Sequence, residues 1–103
     1  MSHWKPICKL DDIPPLGSRI VRPPKGGDIA IFRTSDDKVF ALHDKCPHKG
    51  GPLSQGLVHG ERVTCPLHGW NIGLADGRAV APDVGGCDRF EVKVENGEVW
   101  LAI

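Results

Sequence analysis

Cys46-Pro47-His48 and, after sixteen intervening residues, Cys65-Pro66-Leu67-His68 constrain this chain more than anything else in it, because each segment offers one thiol and one imidazole. Thiolates suit iron–sulfur clusters and zinc, whereas imidazoles suit zinc, copper and iron, so a mixed pair offered twice narrows the choice of metal. A zinc finger groups like with like, two cysteines in one knuckle and two histidines on one helix. A one-residue spacer in extended chain sets Cys46 and His48 roughly 6.6 Å apart on one face. That bite is strained around one small ion and comfortable for two neighbouring irons. The ligand rules then favour a two-iron cluster with cysteines on one iron and histidines on the other. A structural zinc site, or four residues that ligate nothing, are the alternatives.

A chain of 103 residues has room for one domain, 1–103, small enough that a bound metal contributes to its stability. Thirteen basic residues balance thirteen acidic ones, which argues against nucleic acid and against an anionic membrane surface as partners. The opening Met1-Ser2-His3-Trp4-Lys5-Pro6 has no apolar signal region, and no apolar run approaches a membrane span. A cytoplasmic location is the expectation. In a reducing compartment Cys8 and Cys87 are expected as buried small hydrophobes, not as half of a disulfide pair.

Thirteen glycines and nine prolines, with apolar residues alternating at period two, predict an all-β chain of short strands and tight turns. Strands are expected near Trp4 to Leu10, Ser18 to Arg22, Asp28 to Arg33 and Lys38 to His43, the last two joined at Ser35-Asp36-Asp37. From Phe90 to Ile103 the pattern predicts a hairpin about Asn96-Gly97, with Val94 opposite Val99, Val92 opposite Leu101 and Phe90 opposite Ile103, both strands burying one face. From Asp44 to about Val84 glycine and proline crowd in and the strands shorten. This is the expected metal-bearing part, with strands at Glu61 to Cys65 and Trp70 to Leu74 and a turn at Asp76-Gly77. Gly50, Gly51 and Gly69 stand where backbone N–H groups could converge on an anionic cluster. Pro47 and Pro66 fix the backbone after each cysteine.

The stretch Cys46-Pro47-His48-Lys49-Gly50-Gly51-Pro52-Leu53 through Val63-Thr64-Cys65-Pro66-Leu67-His68-Gly69-Trp70 resembles the Rieske [2Fe–2S] domain. The resemblance implies a Rieske-type antiparallel β-sandwich with a small cluster-binding subdomain at 44–84, and a [2Fe–2S] cluster held by Cys46, His48, Cys65 and His68. It also implies that Gly77-Arg78-Ala79-Val80-Ala81-Pro82 covers the cluster and that the edges of His48 and His68 are the electron's exit. Gly51 and Leu67 stand where the respiratory-chain branch has a bracing disulfide. The chain has no tyrosine, and Trp70 stands near the place of that branch's serine donor. Fewer donors to the sulfurs place the potential toward the low end of the roughly −150 to +300 mV Rieske window, as in the ferredoxin-type branch. Histidine ligation also predicts a potential that falls in alkaline solution by about 59 mV per pH unit for each proton coupled to one electron. A flat profile in alkaline voltammetry would count against it.

Trp4-Lys5-Pro6-Ile7-Cys8, Ile13-Pro14-Pro15-Leu16-Gly17, Ser54-Gln55-Gly56 and Ala79-Val80-Ala81-Pro82-Asp83 extend the likeness to the small subunit of NAD(P)H-dependent assimilatory nitrite reductase. That resemblance implies a large-subunit partner holding flavin, a [4Fe–4S] cluster and sirohaem, which reduces nitrite to ammonium. The chain itself would be a non-catalytic relay or assembly subunit. The other reading is a free-standing Rieske ferredoxin serving an aromatic-ring dioxygenase. His3, His43 and His59 lack the spacing of a second metal pair and are expected to be structural or exposed. Trp4 and Trp100 are expected in the core or at a partner contact. Trp70 would shield the cluster or fill the core, Lys49 would meet an acidic partner or solvent, and Asp36 and Asp37 are turn residues.

Overall fold

A computed structural model describes residues 4–23, 27–45, 52–66, 69–80 and 85–102. Among the described residues ten strands make three antiparallel sheets: β1 (Trp4–Lys9), β2 (Ser18–Val21), β3 (Ile29–Arg33), β4 (Val39–His43), β5 (Leu57–His59), β6 (Arg62–Thr64), β7 (Asn71–Gly73), β8 (Arg89–Phe90), β9 (Val92–Glu95) and β10 (Glu98–Ala102). The middle sheet runs β2-β3-β4-β8, and the other two run β1-β10-β9 and β5-β6-β7. Short 3-10 turns stand at Leu10–Asp12 and Leu53–Gln55.

All five residues of β3 are buried, because alternate side chains serve two different cores. Ala30 and Phe32 pack with Leu42, Leu53, Val58, Val63, Cys65, Ile72 and Leu74 in a first core beneath the β5-β6-β7 sheet. Ile29 and Ile31 pack on the other side with Ile13, Ala41, Val99 and Leu101 in a second core, toward the β1-β10-β9 sheet. The middle sheet is therefore covered on both faces, and its first core includes Cys65.

The expected turns form, each for a local reason. Asn96 and Gly97 both have positive φ, 52° and 77°, the pairing a type I′ turn requires. Asp37 takes a left-handed φ of 62° at the end of a loop closed by Thr34 N–H on Lys38 O at 2.9 Å. Pro6 sits on β1, an edge strand, where its missing N–H removes no ladder bond, and the register slips between Pro6 and Cys8.

Two expectations need correction. Val99 faces Val94 and Leu101 faces Val92 as expected; Phe90 pairs with Ala41 on the middle sheet, a partner that was not expected, while Ile103 lies outside the described residues. The chain changes sheets at the exposed Glu91, which lets Phe90 pack on the second core. Nor do both strands of the hairpin bury one face equally. Val99 and Leu101 are inaccessible, whereas Val94, on the edge strand β9, is 37% exposed. The strand β5 was not foreseen, since Leu57-Val58-His59 buries only Val58 and leaves Leu57 75% exposed.

Candidate metal centre

The segment holding Cys65 and His68 is the loop of the β6–β7 hairpin. Val63 and Ile72 face each other across it and point into the first core, while Thr64 and Asn71 point out. One residue further on, the alternation returns Cys65 inward, where it is 2% exposed. Cys65 N–H donates to Trp70 O at 2.7 Å and Gly69 N–H donates to Cys65 O at 3.1 Å. Gly69 has a φ of 73°, a left-handed conformation that favours glycine. Its N–H is thus spent on closing the loop, a correction to its expected role as a donor to an anion. Trp70 is half-buried against the first core, which supports the packing role over that of a detached shield.

Cys46 and His48 lie outside the described residues, as do Pro47, Lys49, Gly50, Gly51, Leu67 and His68. The two ends of the first segment are described. Asp44 accepts from Ser54 N–H at 2.7 Å and from the Ser54 hydroxyl at 2.8 Å. Leu53 is fully buried in the same core as Cys65. Gly56 has ordinary extended backbone, but a Cβ there would overlap the carbonyl oxygen of Thr64, the residue before Cys65. Glycine at 56 is a matter of close approach between the two segments.

The third segment springs from beside the second. Ala79 bridges to Ile72, Arg78 bridges to Gly86, and Val80 N–H donates to Asn71 O at 2.8 Å. Residues 81–84, with Pro82, lie outside the described residues. The described roots of all three segments therefore gather around one apolar core of which the Cys65 side chain is part. A buried thiol with an apolar backing, at the root of a loop that also holds a histidine, is a donor set suited to a thiolate-bound iron.

The other cysteines differ from expectation. Cys8 and Cys87 are half-buried, and Cys8 and Cys65 are free thiols among the described residues. Burial pushes the Cys8 thiol above its ordinary range, Arg19 opposing and Asp12 adding to the effect. Two features escaped sequence reasoning. His59, exposed on β5, places Nε2 2.7 Å from the Thr64 hydroxyl, which itself donates to Asn71 Oδ1 at 2.6 Å. Arg33 is 9% exposed and ties the β1–β2 connection to the β3–β4 hairpin. His43 is half-buried. His3 lies outside the described residues. Trp4 and Trp100 are half-buried, and the Lys93 ammonium stands 4.6 Å from the centre of a Trp4 ring. No helix among the described residues is long and apolar enough to cross a membrane.

The fold and the sequence both find relatives. Ferredoxin CarAc of Metapseudomonas resinovorans is 32% identical over 100 residues, covering 96% of this chain and 92% of the ferredoxin. The E. coli protein NirD superposes with a TM-score of 0.84 at 33% identity, covering 98% of this chain and 96% of NirD. A chain from the complex of reduced oxygenase and oxidized ferredoxin in carbazole 1,9a-dioxygenase superposes with a TM-score of 0.85 at 30% identity, covering 96% of this chain and 92% of that one. Against larger curated oxygenases the chain matches only a part, spanning 23% of one and 18% of another. The Rieske [2Fe-2S] domain family matches residues 3–91, and the chain belongs to that family of electron-transfer domains, its cofactor a Rieske-type [2Fe–2S] cluster.

Proposed function

We propose that this chain is the Rieske electron-transfer subunit of an NAD(P)H-dependent nitrite reductase, located in the cytoplasm and docked on a large subunit that holds flavin, a [4Fe–4S] cluster and sirohaem. The observation that carries the reading is the end-to-end identity of 33% with NirD, a nitrite reductase small subunit, over 98% of this chain. Its own segments Trp4-Lys5-Pro6-Ile7-Cys8 and Ile13-Pro14-Pro15-Leu16-Gly17, outside the metal-bearing part, add to it.

Within residues 44–84, Cys46 and Cys65 would hold one iron and His48 and His68 the other. Bound there, the cluster supplies a one-electron couple. Cys65 presents its sulfur from the core side, and Leu53 and Trp70, packed on the same core, keep water from that side. In this reading the chain relays electrons and the reduction of nitrite belongs to the partner.

A second reading, a ferredoxin feeding an aromatic-ring dioxygenase, is favoured by the 32% identity with CarAc at nearly equal coverage. Gel filtration of the chain co-expressed with a sirohaem-containing large subunit separates the two. A stable co-eluting complex, about micromolar or tighter, is the expected result. Separate elution, together with reduction of a ring-hydroxylating oxygenase by the isolated chain, would favour the ferredoxin reading instead.

A further inference from the structure

The two ligand-bearing segments are rooted in different sheets. Cys65 and His68 hang from the β6–β7 hairpin, whose strand ends are held by the ladder pair Thr64 and Asn71. The segment with Cys46 and His48 leaves the end of β4 on the middle sheet. Its described ends, Asp44 and Ser54, are joined by side-chain contacts. Asp44 grips Ser54 twice, at the backbone N–H and at the hydroxyl. Asp44 N–H donates to Asp28 O at 2.8 Å, and the Ser18 hydroxyl of β2 donates to Ser54 O at 2.8 Å. Both ends of the segment are thereby fastened to the middle sheet, and Gly56, two residues past Ser54, is seated against Thr64 beside Cys65.

We propose that Asp44 is a positioning residue for the cluster: through Ser54 it closes the first ligand segment onto the middle sheet and so fixes its distance from the second. The proposal rests on the reading of Cys46 and His48 as ligands. Asp44 touches no metal itself. It sets where the ligands start from, as partners behind a metal's ligands commonly do. Asparagine can replace it with the same two contacts, since its oxygen accepts from Ser54 N–H and its amide donates to the Ser54 hydroxyl oxygen. Alanine can make neither.

The test is the half-life of the reconstituted cluster against a chelator, read by visible absorbance, alongside the melting temperature of each apoprotein. Asp44→Ala is expected to shorten the half-life about tenfold, and Ser54→Ala, which keeps the backbone contact, about threefold. Asp44→Asn is expected to stay within about twofold of the parent. Arg33→Lys, which weakens the fold away from both ligand segments, is the control for a merely structural effect. It should lower the melting temperature and leave the half-life of the folded protein unchanged. A parent-like half-life in Asp44→Ala would overturn the proposal, as would equal shortening in Arg33→Lys. Cys46→Ser separates the underlying reading: retention of a normal cluster in that variant would overturn both, whereas its loss with a parent-like Asp44→Ala removes only the role of Asp44. If Asp44→Ala does not accumulate, Ser54→Ala and Asp44→Asn decide the matter by the same readout.

Discussion

Cys65→Ser is expected to yield a folded, colourless protein with near-zero iron and acid-labile sulfide, while Cys8→Ser and Cys87→Ser keep the red-brown colour and full iron content. The substitution hardly changes shape, so what it removes is chemistry. A serine hydroxyl ionises far less readily than a thiol and is a harder donor, poorly matched to iron in a sulfide cluster. Cys65 is also the one described cysteine that is nearly inaccessible and sits at the root of a histidine-bearing loop. Cys8 lies on the edge strand β1, its thiol held protonated by burial above the ordinary range, which makes it a poor ligand in competition. A hydroxyl in the first core costs about 1–3 kcal/mol, so iron must be measured on material whose circular dichroism shows it folded. Full iron and sulfide content in folded Cys65→Ser would remove Cys65 from the ligand set.

What was legible in the sequence was local. Asn96-Gly97 names its turn because both residues tolerate positive φ, and the alternation of Val92, Val94, Val99 and Leu101 fixes the register across it. Ser35-Asp36-Asp37 is of the same kind. The proposed ligands rest on residue type and spacing, which a metal imposes together, and of the four only Cys65 lies among the described residues. What depended on the third dimension was hidden. Nothing in Ile29–Arg33 distinguishes a strand buried on one face from one buried on two, because Ala30 and Ile31 are both apolar and the covering sheet comes from residues decades away. Phe90 continued the alternation of β9 and yet joined the middle sheet, where Ala41 and Leu42 receive β8. Asp44 meets Ser54 ten residues further along, and Gly56 sits against Thr64 across the β5–β6 turn, and neither partner has a composition that announces the other.

Arg33 is the strongest of these hidden features, and Arg33→Ala is expected to lower the unfolding free energy by about 3 kcal/mol, a large share of the roughly 5–15 kcal/mol typical of a domain. Its guanidinium joins two connections. Nη1 donates to Ile13 O at 2.7 Å and to Leu10 O at 3.3 Å, in the connection after β1. Nε and Nη2 donate to Asp37 Oδ1 at 3.0 and 2.8 Å, in the β3–β4 turn. Arg33 N–H meets Gly17 O at 3.0 Å, so the same residue also holds the end of that connection. Alanine leaves the Ile13 carbonyl, beside a fully buried side chain, without its donor. Lysine keeps the charge but lacks the planar fork, and Arg33→Lys should cost about 1–2 kcal/mol. Asp37→Ala removes the other half of the ion pair from a side chain that is 58% exposed, and solvent screening holds its cost below about 1 kcal/mol. Urea unfolding of the apoproteins gives the order directly. The expected ranking places Arg33→Ala above Arg33→Lys and both above Asp37→Ala, because the bonds to backbone carbonyls outweigh the surface ion pair. If Asp37→Ala cost as much as Arg33→Ala, the ion pair would be the stabilising contact, and Arg33 would be a turn fastener instead of the tie between the β1–β2 connection and the middle sheet.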